Sequence, residues 1–171
     1  MNSAGIGAAG TVLENDVEEW QRVLGINVIG MANVVKACLP HLIASPAASV
    51  VNVSSAVALT GFPNRVLYTA SKGAVLSMTR AMAVDHLADG VRFNAVCPGT
   101  TETPWIGRLL GDSVDPAAAR EALEARQPHH RLISAEEVAE AVAYLAGPRS
   151  ASTNGVALSV DAGIESLYVA H

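Results

Sequence analysis

Hydrophobic positions along this chain fall into two alternating patterns, short β-branched runs and longer stretches of helical spacing. The run SVVNVSS (49–55) is apolar and β-branched and then breaks into serines, which predicts a short buried strand. GVRFNAVCPGTTETP (90–104) predicts a second buried strand that stops at Pro98 and Gly99. Between them a helix is expected from Tyr68 to about Ala88, ending before Gly90. Upstream, Val17, Trp20 and Leu24 mark the inner face of a helix that Asn15 or Asp16 caps, with Glu18 and Glu19 at its positive end. The helical pattern continues through Asn27 to about Leu42, with Pro40 near its end. Asp115 and Pro116 read as cap and first residue of a shorter helix to about Arg126. Ser134 with Glu137 forms a capping box for a helix to Leu145, which Gly147 and Pro148 end. Strands and helices alternate without a linker or an internal repeat, so the expected fold class is α/β, with a parallel sheet whose strand-end loops carry the chemistry.

Composition narrows the picture. With 171 residues the chain is one domain, large enough to bury a core; half of its residues are hydrophobic but only 4% are aromatic, which suits close helix-on-sheet packing. The formal charge is −5 without a basic cluster, so neither a nucleic acid nor an anionic membrane is an expected partner. Cys38 and Cys97 lie far apart without metal-ligand spacing and read as reduced, half-buried packing residues of a cytoplasmic protein. No secretory leader is evident, and no stretch approaches the roughly 18 apolar residues of a membrane span. The pair His129 and His130 lacks convergent acidic or thiol partners and reads as a loop, so no metal site is expected.

Candidate chemistry centres on YTASK (68–72). On a helix, Tyr68 and Lys72 leave the same face with roughly 5–6 Å between Cβ atoms. A free tyrosine ionises near pH ~10, and an adjacent ammonium is expected to favour the phenolate and move the group toward proton transfer at neutral pH. Ser55 stands thirteen residues earlier, at the strand end, and Asn27 sits within an otherwise amphipathic helix. Alone, Ser55 reads as a strand-end cap, Asn27 as a satisfied helix amide, and the segment around Thr101 and Thr103 as a turn.

The order Asn, strand-Ser, YxxxK and strand-PG-x-x-x-T resembles the short-chain dehydrogenase/reductase family, with NSAG (2–5) similar to its NNAG turn and SVDAG (159–163) similar to its last strand. The resemblance covers nearly the whole chain. It implies the C-terminal half of a doubly wound, Rossmann-like parallel sheet with flanking helices. It also implies an oxidoreductase that interconverts a secondary alcohol and a ketone with NAD or NADP, NAD being favoured. Tyr68 would transfer the alcohol proton and Ser55 would bind the substrate oxygen. Lys72 would lower the tyrosine pKa and hold the nicotinamide ribose, and Asn27 would kink its helix and hold a water in the proton path. Asn2, Ala4, Gly5, Pro98, Gly99, Thr101 and Thr103, with Tyr68 and Lys72, would contact the cofactor. A small-molecule substrate and a homo-oligomer, dimer or tetramer, are implied for the complete protein.

Residues 1–171 are expected to form one partial domain. In the family a strand and a TGxxxGxG turn precede the NSAG turn, and on the order of 60–90 residues of βα units are expected to be missing. GIGAAG (5–10) fits G-x-G-x-x-G, but only four residues precede it and no strand ending in an acid follows, so it is not expected to cradle phosphate. Two readings stay open, a dehydrogenase and a non-catalytic or binding protein retaining the half-fold. On the substrate side, Arg65, Trp105 and Arg126 are the candidate residues. Their context resembles the family branch of 3-hydroxybutyrate and 2-keto-3-deoxy-sugar-acid dehydrogenases, whose substrates carry a carboxylate that a guanidinium fork matches.

Overall fold

β-Branched residues build the centre of the molecule. In the computed structural model, which describes residues 1–167, β1 (Ser49–Val53), β2 (Arg92–Pro98) and β3 (Ala157–Val160) form a parallel sheet in that order. Val50 is paired with Phe93 and Val53 with Val96. Successive side chains point to opposite faces. Val50 and Phe93 therefore face α2 (Met31–Ile43) and α3 (Val66–Asp85), packing with Val35, Ala83 and Leu39. Val51 and Val96 face the other way, onto Leu145 and Val142 of α6 (Ala135–Ala146). Helices on both sides of a parallel sheet make the α/β architecture that the alternating pattern predicts.

The punctuation residues act as expected. Asp16 caps α1 (Val17–Leu24) through the Glu19 N–H, Asp115 caps α5 (Pro116–Glu124), and Ser134 with Glu137 closes the capping box of α6. The helix expected from Tyr68 starts two residues earlier, at Val66, and ends at Asp85. A helix that the pattern did not announce, α4 (Pro104–Gly111), follows β2, with the Thr103 hydroxyl as its cap and Pro104 in its first turn. The PGTTETP segment is thus a turn that feeds a helix.

Two expectations need correction. Cys38 is exposed and Cys97 fully buried, so neither is half-buried. The helical run Val17–Ile43 is long and apolar enough to span a membrane, against the expectation that no segment approaches this. Its buried positions Val23, Asn27, Met31 and Val35 belong to the protein interior, while Ile26, Ile29 and Val34 are exposed on the same run. Strand β1 lies at the sheet edge but is not bare. The Asn2 N–H donates to the Val51 carbonyl (2.9 Å) and the Asn2 carbonyl accepts from Val53 (2.9 Å), so the N-terminal segment pairs along the open side.

Phe93 lies on the central strand with no exposure. Phe93→Ala should lower unfolding stability by roughly 3–5 kcal/mol, read from the urea midpoint at unchanged slope. An unaltered midpoint would place the core elsewhere.

Candidate active site

The candidate residues converge at the C-terminal ends of β1 and β2. Lys72, four residues into the same helical face as Tyr68, is 6% exposed and donates from Nζ to the Val53 carbonyl at the end of β1 (2.9 Å). The next residue along β1's exit, Ser54, donates its hydroxyl to the Lys72 carbonyl (2.9 Å). These two bonds tie α3 to the strand end in register. Ser55 follows, extended, with its hydroxyl accepting from the Val57 N–H and meeting the Tyr68 phenol. Lys72 Nζ stands 5.8 Å from the centroid of the Tyr68 ring, over its face.

Asn27 sits in a π-helical turn, Gly25–Gly30, that interrupts the run between α1 and α2. Such a turn widens the helix and re-aims one side chain inward. The amide is 2% exposed and mimics a strand neighbour: Oδ1 accepts from the Ile6 N–H (2.8 Å) while Nδ2 donates to the Ile6 carbonyl (2.9 Å). Its remaining N–H donates to the Ser71 hydroxyl (3.0 Å), which in turn donates to the Tyr68 carbonyl (2.8 Å). Asn27 therefore sits in a π-turn of its helix and holds Ile6, just after the NSAG turn. Gly5 suits this close approach, because a Cβ would lie a tight 3.2 Å from Asn27 Oδ1 and in ordinary contact, 3.5 Å, with Lys72 Nζ. GIGAAG continues from this turn and does not lead directly into a helix N-terminus, since α1 begins only at Val17. The Gly10 N–H instead bonds to the Asn64 carbonyl (3.0 Å).

Electrostatics here differ from the simple tyrosine–lysine expectation. Burial holds the Tyr68 phenol above its ordinary value, and the Ser55 hydroxyl and then the Arg65 charge pull it back down. A cation that lowers the phenol is Arg65, which precedes α3 as its N-cap residue. Burial drives Lys72 itself down to about 8.

Beyond β2, the Thr101 hydroxyl donates to the Gly99 carbonyl (3.2 Å), Thr101 bridges to Ile133, and Thr103 is committed to capping α4. Pro98 is buried, and a Cβ on Gly99 would fall 2.5 Å from Gln127 Oε1. Trp105 is half exposed and lies over Gly7, where a Cβ would meet its ring at 3.1 Å. Arg65 and Arg126 line one open cleft of about 280 Å³. Sequence reasoning missed Ser71, the relay between Asn27 and Tyr68, and Asn52, a fully buried strand amide that accepts from Asn2 (2.8 Å) and donates to Thr79 (2.9 Å). A polar residue inside a β-branched run was the available signal for Asn52.

Comparison with known proteins agrees with this geometry. Residues 1–165 match a family model described as enoyl-(acyl carrier protein) reductase. The chain belongs to the short-chain dehydrogenase/reductase family. Within that family it is 40% identical over 94% of its length to 2-(R)-hydroxypropyl-CoM dehydrogenase of Xanthobacter autotrophicus, and spans 64% of that protein. It is 39% identical to 2-keto-3-deoxy-L-fuconate dehydrogenase of Xanthomonas campestris pv. campestris, covering 95% of this chain and 55% of the relative. Among solved structures, the ligand-free aldohexose dehydrogenase of Thermoplasma acidophilum superposes with a TM-score of 0.91 at 31% identity, over 99% of this chain and 68% of that one. ElxO with NADP bound superposes at 0.88 and 28% identity, over 97% of this chain and 66% of that one. The chain thus spans between about half and two thirds of the length of these family members.

A buried lysine leaves a pH signature. Its ammonium is disfavoured in the folded state, so the unfolded chain binds more protons between about 8 and the ordinary 10.5, and Lys72 makes stability rise with pH across that window. Cys97 and Tyr68, both raised by burial, act in the opposite direction above their ordinary values. They cancel when wild type is compared with Lys72→Met. The mutant's stability advantage should therefore shrink from pH 8 to 10.5 in chemical denaturation, and a pH-independent difference would show that Lys72 is not buried as an ammonium.

Proposed function

We propose that this chain serves an NAD(P)-dependent oxidoreductase that interconverts a secondary alcohol and a ketone on a small hydroxy or keto acid. The observation that carries the reading is the convergence of Tyr68, Ser55 and Lys72 at the exits of parallel strands, where open α/β sheets place ligands. The residues fit the cofactor: Lys72 spends one N–H on Val53, keeping two for a ribose, and Gly5 leaves open the space that a Cβ would fill against Lys72 and Asn27. Asn2, Ala4 and Gly5 on one side and Pro98, Gly99, Thr101 and Thr103 on the other would flank it. When bound, NAD(P) supplies the hydride to the ketone carbon or takes it from the alcohol.

Tyr68, kept protonated by burial, donates its phenolic proton to the ketone oxygen in reduction and takes it back in oxidation. Ser55 donates to the same oxygen, holding it beside the phenol. Asn27 retains one lone pair on Oδ1 for a water in the proton path. Arg65, half-buried and raising the acidity of Tyr68, shares its cleft with Arg126, and each guanidinium is a natural carboxylate partner. Relatives named for a hydroxypropyl-CoM and for a deoxy-fuconate substrate support an alcohol or keto substrate that carries a charged group. ElxO with bound NADP supports the cofactor class, and the choice between NAD and NADP stays open here. Trp105, stacked over Gly7, would border the substrate space. The exposed Ile26, Ile29, Val34, Val66 and Val84 on neighbouring helices suit a homo-oligomer, and two free thiols suit a cytoplasmic protein.

Tyr68→Phe should lower turnover by roughly 10²–10⁴-fold while NAD(P) affinity persists, and Lys72→Ala should damage both. Wild-type turnover in the phenylalanine variant would remove the proton-transfer role. For the acid, Arg65→Ala should cost about 2 kcal/mol more in kcat/KM toward a hydroxy acid than toward its methyl ester, which loses only the effect of Arg65 on the Tyr68 phenol. Equal losses on acid and ester would leave Arg65 with its effect on Tyr68 and remove the carboxylate clamp.

A further inference from the structure

The cleft that holds the two arginines has a second property. Its far wall is apolar: Leu109 and Leu110 come from α4 and Leu123 from α5, with two alanines of α5 between them, and Ser113 is the one uncharged polar side chain of the lining. Leu109 is 44% exposed and Leu123 half-buried, so this wall is open toward the cleft. The Ser113 hydroxyl already donates to the Leu110 carbonyl (2.8 Å) and is not a free donor. On the charged side, Arg65 bonds to the carbonyls of Ala8 and Asn64 at 3.4 and 3.3 Å and meets no carboxylate among the described residues. Arg126 makes no ion pair among the described residues, and its charge presses against that of Arg65, lowering it after the effect of burial. Two like charges facing one cleft repel each other, and an anion between them relieves that repulsion.

We infer that the cleft selects aliphatic hydroxy or keto acids, with the carboxylate between Arg65 and Arg126 and an unsubstituted alkyl chain against Leu109, Leu110 and Leu123, and that it disfavours polyhydroxylated sugar acids. This rests on the hydroxy-acid reading above and sharpens it. A sugar acid would set several hydroxyls against a wall whose one uncharged polar side chain, Ser113, has only acceptor capacity left, and hydroxyls packed on the leucines lose water without regaining a hydrogen bond. A methylene on the same wall gains from burial. The cleft neighbours the reaction site through Arg65, which lies three residues before Tyr68 and whose charge acts on that phenol, although Tyr68 itself does not line the cleft.

The test is equilibrium binding by calorimetry with NAD(P)H present, which does not depend on turnover. Probes are butyrate, hexanoate, gluconate and methyl hexanoate. Hexanoate should bind roughly tenfold more tightly than butyrate, at about threefold per methylene, and at least tenfold more tightly than gluconate. Leu123→Gln should erase the chain-length gain while butyrate binding is kept. Kinetics with 3-hydroxyhexanoate against a 2-keto-3-deoxy sugar acid should show the same order. If the acids bind but gluconate equals or exceeds hexanoate, or chain length has no effect, the aliphatic selection is wrong while the arginine clamp stands. If methyl hexanoate binds as well as hexanoate, or no carboxylate binds, the clamp falls and the selection falls with it.

Discussion

A lysine ammonium buried at the end of a parallel strand is the constraint around which this structure is arranged. Lys72 loses most of its water and recovers one hydrogen bond from the Val53 carbonyl, which is why its pKa falls to about 8. Holding it there requires α3 to lie in one register against β1, a register that the Ser54 hydroxyl fixes by bonding to the carbonyl of Lys72 itself. With the helix placed, Tyr68 comes to Ser55 at the strand exit, and the start of α3 brings Arg65 to the same phenol. The cost of burying one charge thereby sets the positions of the residues proposed to act on substrate.

The N-terminal segment is organised by a different device, the use of side-chain amides as substitutes for strand backbone. Asn2 pairs with β1 through its main chain and with Asn52 through its side chain, and Asn27 offers Ile6 the donor and acceptor that a neighbouring strand would offer. Asn52 passes the connection to Thr79 on α3, and Asn27 passes it to Ser71. Each amide satisfies buried polar groups in two elements at once, which avoids the penalty of leaving them unpaired. The π-turn at Gly25–Gly30 belongs to the same arrangement, since it re-aims Asn27 toward Ile6.

The acid-binding face has the opposite character. Arg65 and Arg126 come from elements 61 positions apart in numbering and meet across an open cleft with α4 and α5 as its wall. Among the described residues neither arginine is balanced by a carboxylate there. By contrast, Arg120 and Arg131 pair with Glu102 and Glu137 on the surface, as exposed arginines commonly do. The difference separates guanidiniums spent on local structure from those left for a ligand.

Periodicity and turn chemistry made much of this fold legible in advance. The β-branched runs at 49–55 and 90–98, the caps at Asp16, Asp115 and Ser134, and the stop at Gly147 are local facts, decided by backbone sterics and nearby hydrogen bonds. The YxxxK spacing was legible for the same reason, because a helix fixes which side chains share a face. Helix α4 was not, since Trp105, Ile106 and Leu109 form too short an apolar pattern to stand out from the turn before it. Nor was the direction of the Tyr68 shift: proximity along the helix named Lys72 and a lowered phenol, but burial raises it against the Ser55 hydroxyl and the Arg65 charge. Sequence alone determined the elements and the residue types at their ends, because those depend on neighbours within a few positions. Only the tertiary structure decided which charges lose water and which distant groups meet, because desolvation and long-range contact exist once the sheet and its helices have closed around them.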